Sequence, residues 1–313
     1  MSRFSRIVFI CIYICLIFVR CRNKVNKYDS PINGKIFISA DESFKPVITE
    51  EIKVYESSHP GTHIEASYKP EVDCFRDLQK DSTRLIIVSR GLTDDENAYY
   101  KEALSYKAQW DIVAYDAIAV IVNKHSKDSL FTIDKLKSYL TGKDTSKLIV
   151  VDGRNATSTV RMLKDSLLKG GAFGKNVMAA ADSKQLLSYV SSNINAVGFI
   201  GFSWIGDGDD PEQQLYFDSI SFGLIECKSC GTGVYAKPSQ ATIAAGEYPL
   251  VRPLFFVLKE NFNGLGTGFV TFMSLEQGQL IFRRSYLVPA KMNFTVRKSM
   301  METNKNLLNK TLQ

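Results

Sequence analysis

The stretch Lys147-Leu148-Ile149-Val150-Val151-Asp152-Gly153-Arg154-Asn155-Ala156-Thr157-Ser158-Thr159-Val160-Arg161 decides the fold. Lys147 to Val151 has the length and apolarity of a buried strand, Asp152-Gly153 turns the chain, and Val160 to Lys169 has the pattern of an amphipathic helix. A strand, a tight turn and a helix form the repeating unit of layered α/β domains. A helix that opens behind Thr and Ser leaves backbone N–H groups and the positive end of its dipole facing the turn. With the Arg154 fork and the hydroxyls of Thr157, Ser158 and Thr159 beside it, the turn suits a small oxyanion. No nucleophile or proton-transfer group accompanies it, which points to capture of an anion and not to its conversion.

The same grammar extends to both sides. Gly34 to Ala40 reads as a buried strand ending in a loop, Phe44 to Ser57 as a helix, and Thr62 to Tyr68 as a second, alternating strand. Helix follows at Val72 to Gln79. Arg84 to Ser89 has the unbroken apolar centre Leu85-Ile86-Ile87-Val88, as expected of a parallel strand buried on both faces. After a charged helix (Thr93 to Leu104) come a long strand (Ile112 to Asn123) and a short helix (Thr132 to Leu140). Beyond the quoted stretch lie a helix at Ser183 to Ser192 and a strand at Val197 to Phe202. A turn-rich span (Gly206 to Pro211) leads to strands near Tyr216–Leu224 and Leu254–Leu258. A loop with Gly264, Gly266 and Gly268 then introduces a final helix from Phe269 to Arg283. In such sheets ligands sit at the carboxyl ends of strands. That marks the loops after Ile38, Val88 and Val151.

The N-terminus is of another kind. Arg3 and Arg6 precede thirteen apolar residues, Ile7 to Val19. A membrane-spanning helix needs about 20, so residues 1–20 read as an export signal. Cys21 closes the run and resembles the lipid-carrying cysteine of bacterial lipoproteins, although Arg20 stands where a small residue is usual; cleavage without lipid is the alternative. Residues 21–33 make a polar tether. Without residues 1–20 the net charge falls from +6 to +3, which argues against a nucleic-acid partner. Beyond Cys21 three cysteines remain: Cys74, and Cys227 with Cys230, whose spacing suits a local disulfide at a hairpin. A zinc site would need a second pair. His59 and His63 are separated by Pro60-Gly61, which forbids one helical face. Gly201-Phe202-Ser203-Trp204-Ile205 lacks the second glycine of a nucleophile elbow, and there is no Walker-type phosphate loop. Neither an enzyme nor a resident cofactor or metal is expected.

Six segments then carry a resemblance, in order: Ser89-Arg90-Gly91-Leu92-Thr93-Asp94-Asp95-Glu96; Tyr115-Asp116-Ala117-Ile118-Ala119-Val120-Ile121-Val122-Asn123; Phe131-Thr132 with Tyr139-Leu140-Thr141-Gly142-Lys143; Val197-Gly198-Phe199-Ile200-Gly201; Tyr248-Pro249-Leu250-Val251-Arg252-Pro253-Leu254; and Gly278-Gln279. From about Gly34 to Ala290 the chain resembles the phosphate-binding, PstS-like periplasmic receptors of ABC importers. The resemblance implies an α/β, two-lobed periplasmic-binding-protein type II fold, each lobe a mixed sheet flanked by helices, with the ligand cleft between. Lobe I would comprise 34–113 and a return segment 252–293, lobe II 114–251, with a tail at 294–313. It further implies a monomer, exported to the periplasm or cell surface and lipid-anchored at Cys21, that captures an inorganic oxyanion, phosphate first, by lobe closure and delivers it to a membrane permease. A non-transport sensor or surface protein-binding module on the same fold is the alternative.

Carried over by position, Arg154, Thr157, Ser158 and Thr159 stand where that family has Arg-x-x-Ser-Gly-Thr. The first loop departs: Ala40-Asp41-Glu42-Ser43 replaces a Gly-Ser-Thr-Thr type of turn. Ser39, Ala40, Asp41 and Ser43 are its candidate contacts, and Arg90 is a candidate second cation or a partner of Asp94 or Glu96. Asp41 and Glu42 admit three readings. A carboxylate can accept the proton of hydrogen phosphate; two pointing inward would repel a dianion; or both face solvent at a helix start, favoured by the dipole.

Overall fold

A computed structural model describes residues 29–153 and 157–292. Its framework is one continuous, mixed sheet with helices on both faces. The first lobe starts with β1 (Asn33–Asp41), a single 3-10 turn (Glu42–Phe44), α1 (Lys45–Ser58), β2 (Gly61–Lys69), α2 (Glu71–Leu78), β3 (Thr83–Val88) and α3 (Asp94–Leu104). β1 runs parallel to both β2 and β3. Its alternate residues Ile36, Ile38 and Ala40 enter the core shared with α1. β3 is apolar on both sides because both are covered: Leu85 and Ile87 face that core, whereas Ile86 and Val88 face a second one built on α2 and α3.

β4 (Gln109–Asn123) joins the lobes. Its first part, up to Ala117, pairs with β12 (Val251–Leu258), and from Ile118 onward it pairs with β8 (Ala196–Gly201). The second lobe adds β5 (Leu130–Phe131), α4 (Ile133–Leu140), β6 (Leu148–Asp152), α5 (Ser158–Met162, continuing as a wider π-helical turn to Leu168), β7 (Val177–Ala180) and α6 (Ser183–Ser192). Side chains from these elements close a separate core around Ile121, Phe199 and Leu186. β6 lies parallel between β7 and β8, with α5 following it, as the quoted stretch requires.

Two expectations are corrected. The region near Tyr216 is not strand: α7 (Pro211–Phe217), started by an Asp210 cap and a proline, precedes short β9 (Ile220–Phe222) and β10 (Leu224–Glu226). β10 pairs with β11 (Tyr235–Ala236) in a hairpin closed by a Cys227–Cys230 disulfide, and α8 (Gln240–Ala244) follows. The final helix is two, α9 (Leu265–Ser274) and α10 (Glu276–Arg284), before β13 (Val288–Pro289). Gly266 and Gly268 lie within α9, not in a loop. A Cβ on Gly268 would come within 2.5 Å of Tyr55 Oη, so the glycine serves close packing of α9 on α1. Among the described residues, no helix is long and apolar enough to cross a membrane. The leader 1–20, Cys21 and the tail 294–313 lie outside the described residues.

Candidate functional site

Four chain segments meet where the two lobes touch. β1 delivers Asp41 and the 3-10 turn, β6 delivers Asp152 and the start of α5, and the crossing strands deliver Asp116 and Arg252. The last two are register partners on β4 and β12, so their side chains project side by side. Arg252 gives Nε and Nη2 to Asp116 Oδ2, at 3.0 and 2.7 Å. Its Nη1 reaches Ser158 Oγ at 2.8 Å and Thr159 Oγ1 at 3.1 Å, and the guanidinium lies over the Phe44 ring. All of this is buried; Arg252 is 2% exposed.

The described ends of the turn after β6, Gly153 and Thr157, are held by close packing and by hydrogen bonds to Asp152. Gly153 adopts φ +71°, and a Cβ there would meet Thr157 Cγ2 at 2.3 Å, so only glycine fits. Thr157 caps α5 by accepting the Val160 N–H, and its hydroxyl donates to the Asp152 carbonyl and to Asp152 Oδ1. Thr159 Oγ1 donates to Asp152 Oδ2 at 2.8 Å.

Asp41 closes the cluster from the other lobe. One oxygen accepts the Ser43 N–H at 2.9 Å and the Ser43 hydroxyl. The other, Oδ2, accepts the backbone N–H of Ser158 at 3.1 Å, the first amide of α5. Valence fixes the direction of the hydroxyls. Arginine only donates, so Ser158 Oγ accepts from Arg252 and passes its own hydrogen to Ser43 Oγ, 3.1 Å away. Ser43 in turn donates to Asp41. Hydroxyls read from the sequence as free for a ligand are thus engaged within the chain itself, those of Ser43, Thr157 and Thr159 by carboxylates and that of Ser158 by Ser43 and Arg252.

Charge is unevenly balanced here. Asp41, Asp116 and Asp152 are each fully buried around one guanidinium. Burial pushes all three carboxyls up against the pull of Arg252, and Asp152 reaches about 7. Burial disfavours the Arg252 charge as well, but the Asp116, Asp41 and Asp152 carboxylates outweigh it and hold the guanidinium above its usual range.

Further contacts bridge the lobes. Glu42 accepts from the Ser183 hydroxyl at 2.8 Å, and its carbonyl accepts Trp204 Nε1. Ser203 Oγ donates to the Ser43 carbonyl. Arg161 on α5 reaches into the first lobe, giving Nε to Glu71 Oε2 at 2.6 Å and Nη2 to Ser89 Oγ at 2.7 Å. A cavity of about 290 Å³ opens beside the cluster, its walls including Lys45, Lys69 and Lys184 set against Glu42 and Asp182.

The sequence-derived residues therefore separate. Ser43, Asp41, Thr157, Ser158 and Thr159 come together. Ser39 is on the same strand, but its hydroxyl donates to Asp77. Ala40 has its methyl in the core and its backbone in the ladder between β2 and β3. Arg90 makes a double contact with Glu96 at 2.7 and 2.9 Å, over the Phe75 ring. Arg154 lies outside the described residues. The solvent-facing reading of Asp41 and Glu42 is corrected, because Asp41 is wholly buried and Glu42 is tied to Ser183. Arg252, Asp116, Asp152 and Arg161 were not singled out as site residues. Arg252 and Asp116 stood only inside family-like segments, and nothing local showed that they pair. Among the described residues no cluster of His, Cys, Asp and Glu suits a metal ion.

Residues 26–276 match the family described as PBP superfamily domain. Phosphate-binding protein PstS 2 of Streptococcus pneumoniae is 28% identical over 132 residues, 42% of this chain and 39% of the relative. The match thus spans well under half of the pneumococcal protein. Phosphate-binding protein PstS of Pseudomonas aeruginosa is 22% identical over 247 residues, 72% of each chain. Among solved structures, a Clostridium perfringens substrate-binding protein with bound phosphate superposes with a TM-score of 0.67 at 23% identity, covering 82% of this chain and all of the other. An ABC-type phosphate transport receptor from Vibrio cholerae gives 0.60 at 20% identity, with the same coverage. At these identities the superpositions establish the fold.

Proposed function

The chain belongs to the PBP superfamily, and we propose that it is an exported substrate-binding protein that captures a small oxyanion, phosphate first, for an ABC-type importer. One observation carries the reading: the opening amide of α5 already holds an oxygen anion, Asp41 Oδ2, at 3.1 Å, with the Arg252–Ser158–Ser43 relay beside it. A phosphate oxygen is matched by the same donors. The names of the pneumococcal and Pseudomonas relatives favour phosphate over other anions. Lys45 on the cavity wall would draw an anion toward it, whereas Lys69 and Lys184 are already paired with Asp77 and Glu212.

In this reading the lobes, 34–113 with 252–293 and 114–251, close on the ligand because donors from both then converge. Thr157, Ser158 and Thr159 hold it from lobe II and Ser43 from lobe I, with Arg154, placed by sequence between Gly153 and Thr157, as the direct charge contact. Arg252 positions the hydroxyls. Export follows the leader 1–20, with lipid on Cys21, and the protein acts as a monomer without catalysis or cofactor. Calorimetric titration with phosphate, sulfate, molybdate and tungstate tests it, and micromolar or tighter binding of one of them is expected. The engagement of the donors by Asp41 favours one rival, a non-transport sensor or surface module with a degenerate cleft, for which all four titrations would be silent.

A further inference from the structure

We infer that Asp41 is a tethered occupant of the oxyanion seat and the residue that sets how tightly this protein holds a free anion. The inference rests on the oxyanion reading above and makes it specific to this chain. Asp41 stands on lobe I, yet its Oδ2 takes the Ser158 amide on lobe II, 117 residues away. Its Oδ1 takes both the amide and the hydroxyl of Ser43, and through Ser43 and Ser158 it terminates a relay that begins at Arg252. Two oxygens of one charged group thus satisfy donors from both lobes, the role a captured oxyanion plays in a closing cleft. Full burial leaves the carboxylate no water to fall back on, so these donors are its solvation.

Two consequences follow. The chain itself supplies a bridge between the lobes, made of charge-assisted hydrogen bonds. An incoming anion must also displace the carboxylate from the Ser158 amide before it can use that donor, so part of its binding free energy is lost in the exchange. Sequence position explains why this chain differs from the pattern it resembles. A hydroxyl in the first loop would leave the amide to the ligand, whereas an aspartate there competes for it.

The test uses the full chain and two variants, Asp41→Ala and the near-isosteric Asp41→Asn, with inorganic phosphate as probe. Hydrogen exchange at the Ser158 amide reads the bridge directly. In Asp41→Ala, exchange without phosphate should accelerate about tenfold or more, the loss expected for one charge-assisted hydrogen bond. Millimolar phosphate should then restore protection, and both variants should bind phosphate about tenfold more tightly than the natural chain. If Asp41→Ala becomes unprotected and no oxyanion restores it, the tether stands and the oxyanion reading falls. If Ser158 stays as protected in Asp41→Ala as in the natural chain, the inference is wrong. Weaker phosphate binding by Asp41→Asn sinks it as well, because that variant keeps the side-chain shape and would show Asp41 to be a ligand contact rather than a competitor.

Discussion

Arg252 and Asp116 face each other across the β4–β12 ladder, and one carboxylate oxygen of Asp116 receives both Nε and Nη2 of the guanidinium. The pair sits where the chain crosses between lobes, and neither side chain has meaningful solvent access. Arg252→Met leaves a buried carboxylate without its cation, and we expect a loss of about 3–5 kcal/mol in stability. Replacing both partners with apolar residues, as in Arg252→Met with Asp116→Leu, should recover a large part of it. Urea denaturation of the two variants checks this; equal losses in the single and double replacements would deny the pairing.

Glu51 on α1 is buried, and neither carboxylate oxygen has a hydrogen-bond partner among the described residues. Burial alone pushes its carboxyl well above the ordinary range. Glu51→Met fills a similar volume without the polar group and should stabilise the protein by about 1–3 kcal/mol at neutral pH. A destabilised variant in a thermal or urea melt would mean that the acid has a partner after all.

Asp152 titrates near 7 when folded, against an ordinary value of 3.8. Between those values the folded protein binds a proton that the unfolded chain has released. Its contribution to stability therefore falls as pH rises through that window and levels off above it. Asp152→Asn removes this dependence. The melting temperature of the variant minus that of the natural chain should climb from pH 4 to 7 and then flatten; a constant difference would place the proton elsewhere.

Arg154 carries the sequence-derived charge contact. Arg154→Ala should weaken phosphate binding by more than about 2 kcal/mol through loss of a charge-assisted hydrogen bond. Calorimetry decides, and unchanged affinity removes the residue from the site.

The fold was legible because its signals are local. Strand β6, its glycine turn and the helix after it follow from adjacent residues. The apolar run Leu85 to Val88 in β3 marks a strand covered on both faces. Where side-chain pattern misled, packing was the reason: the α9 glycines look like a loop until Tyr55 is placed against Gly268 and Glu260 against Gly266. The site was half legible. Thr157, Ser158 and Thr159 announce themselves by their place at a helix start. Asp41 does not, because an acid early in a helix is equally at home in water. Only contact with Ser158 distinguishes the cases. Arg252 lies 136 residues from Asp116, and no spacing rule spans that distance.

A single strand, β4, belongs to both halves of the molecule, and β12 runs back beside it. Any swing of one half against the other must be absorbed as torsion in this pair of ribbons, with no slack connector to take it up. If the halves turn against each other, side-chain volume near Ala117, Ile118 and Val251, where the pairing of β4 passes from β12 to β8, sets the resting angle of that joint.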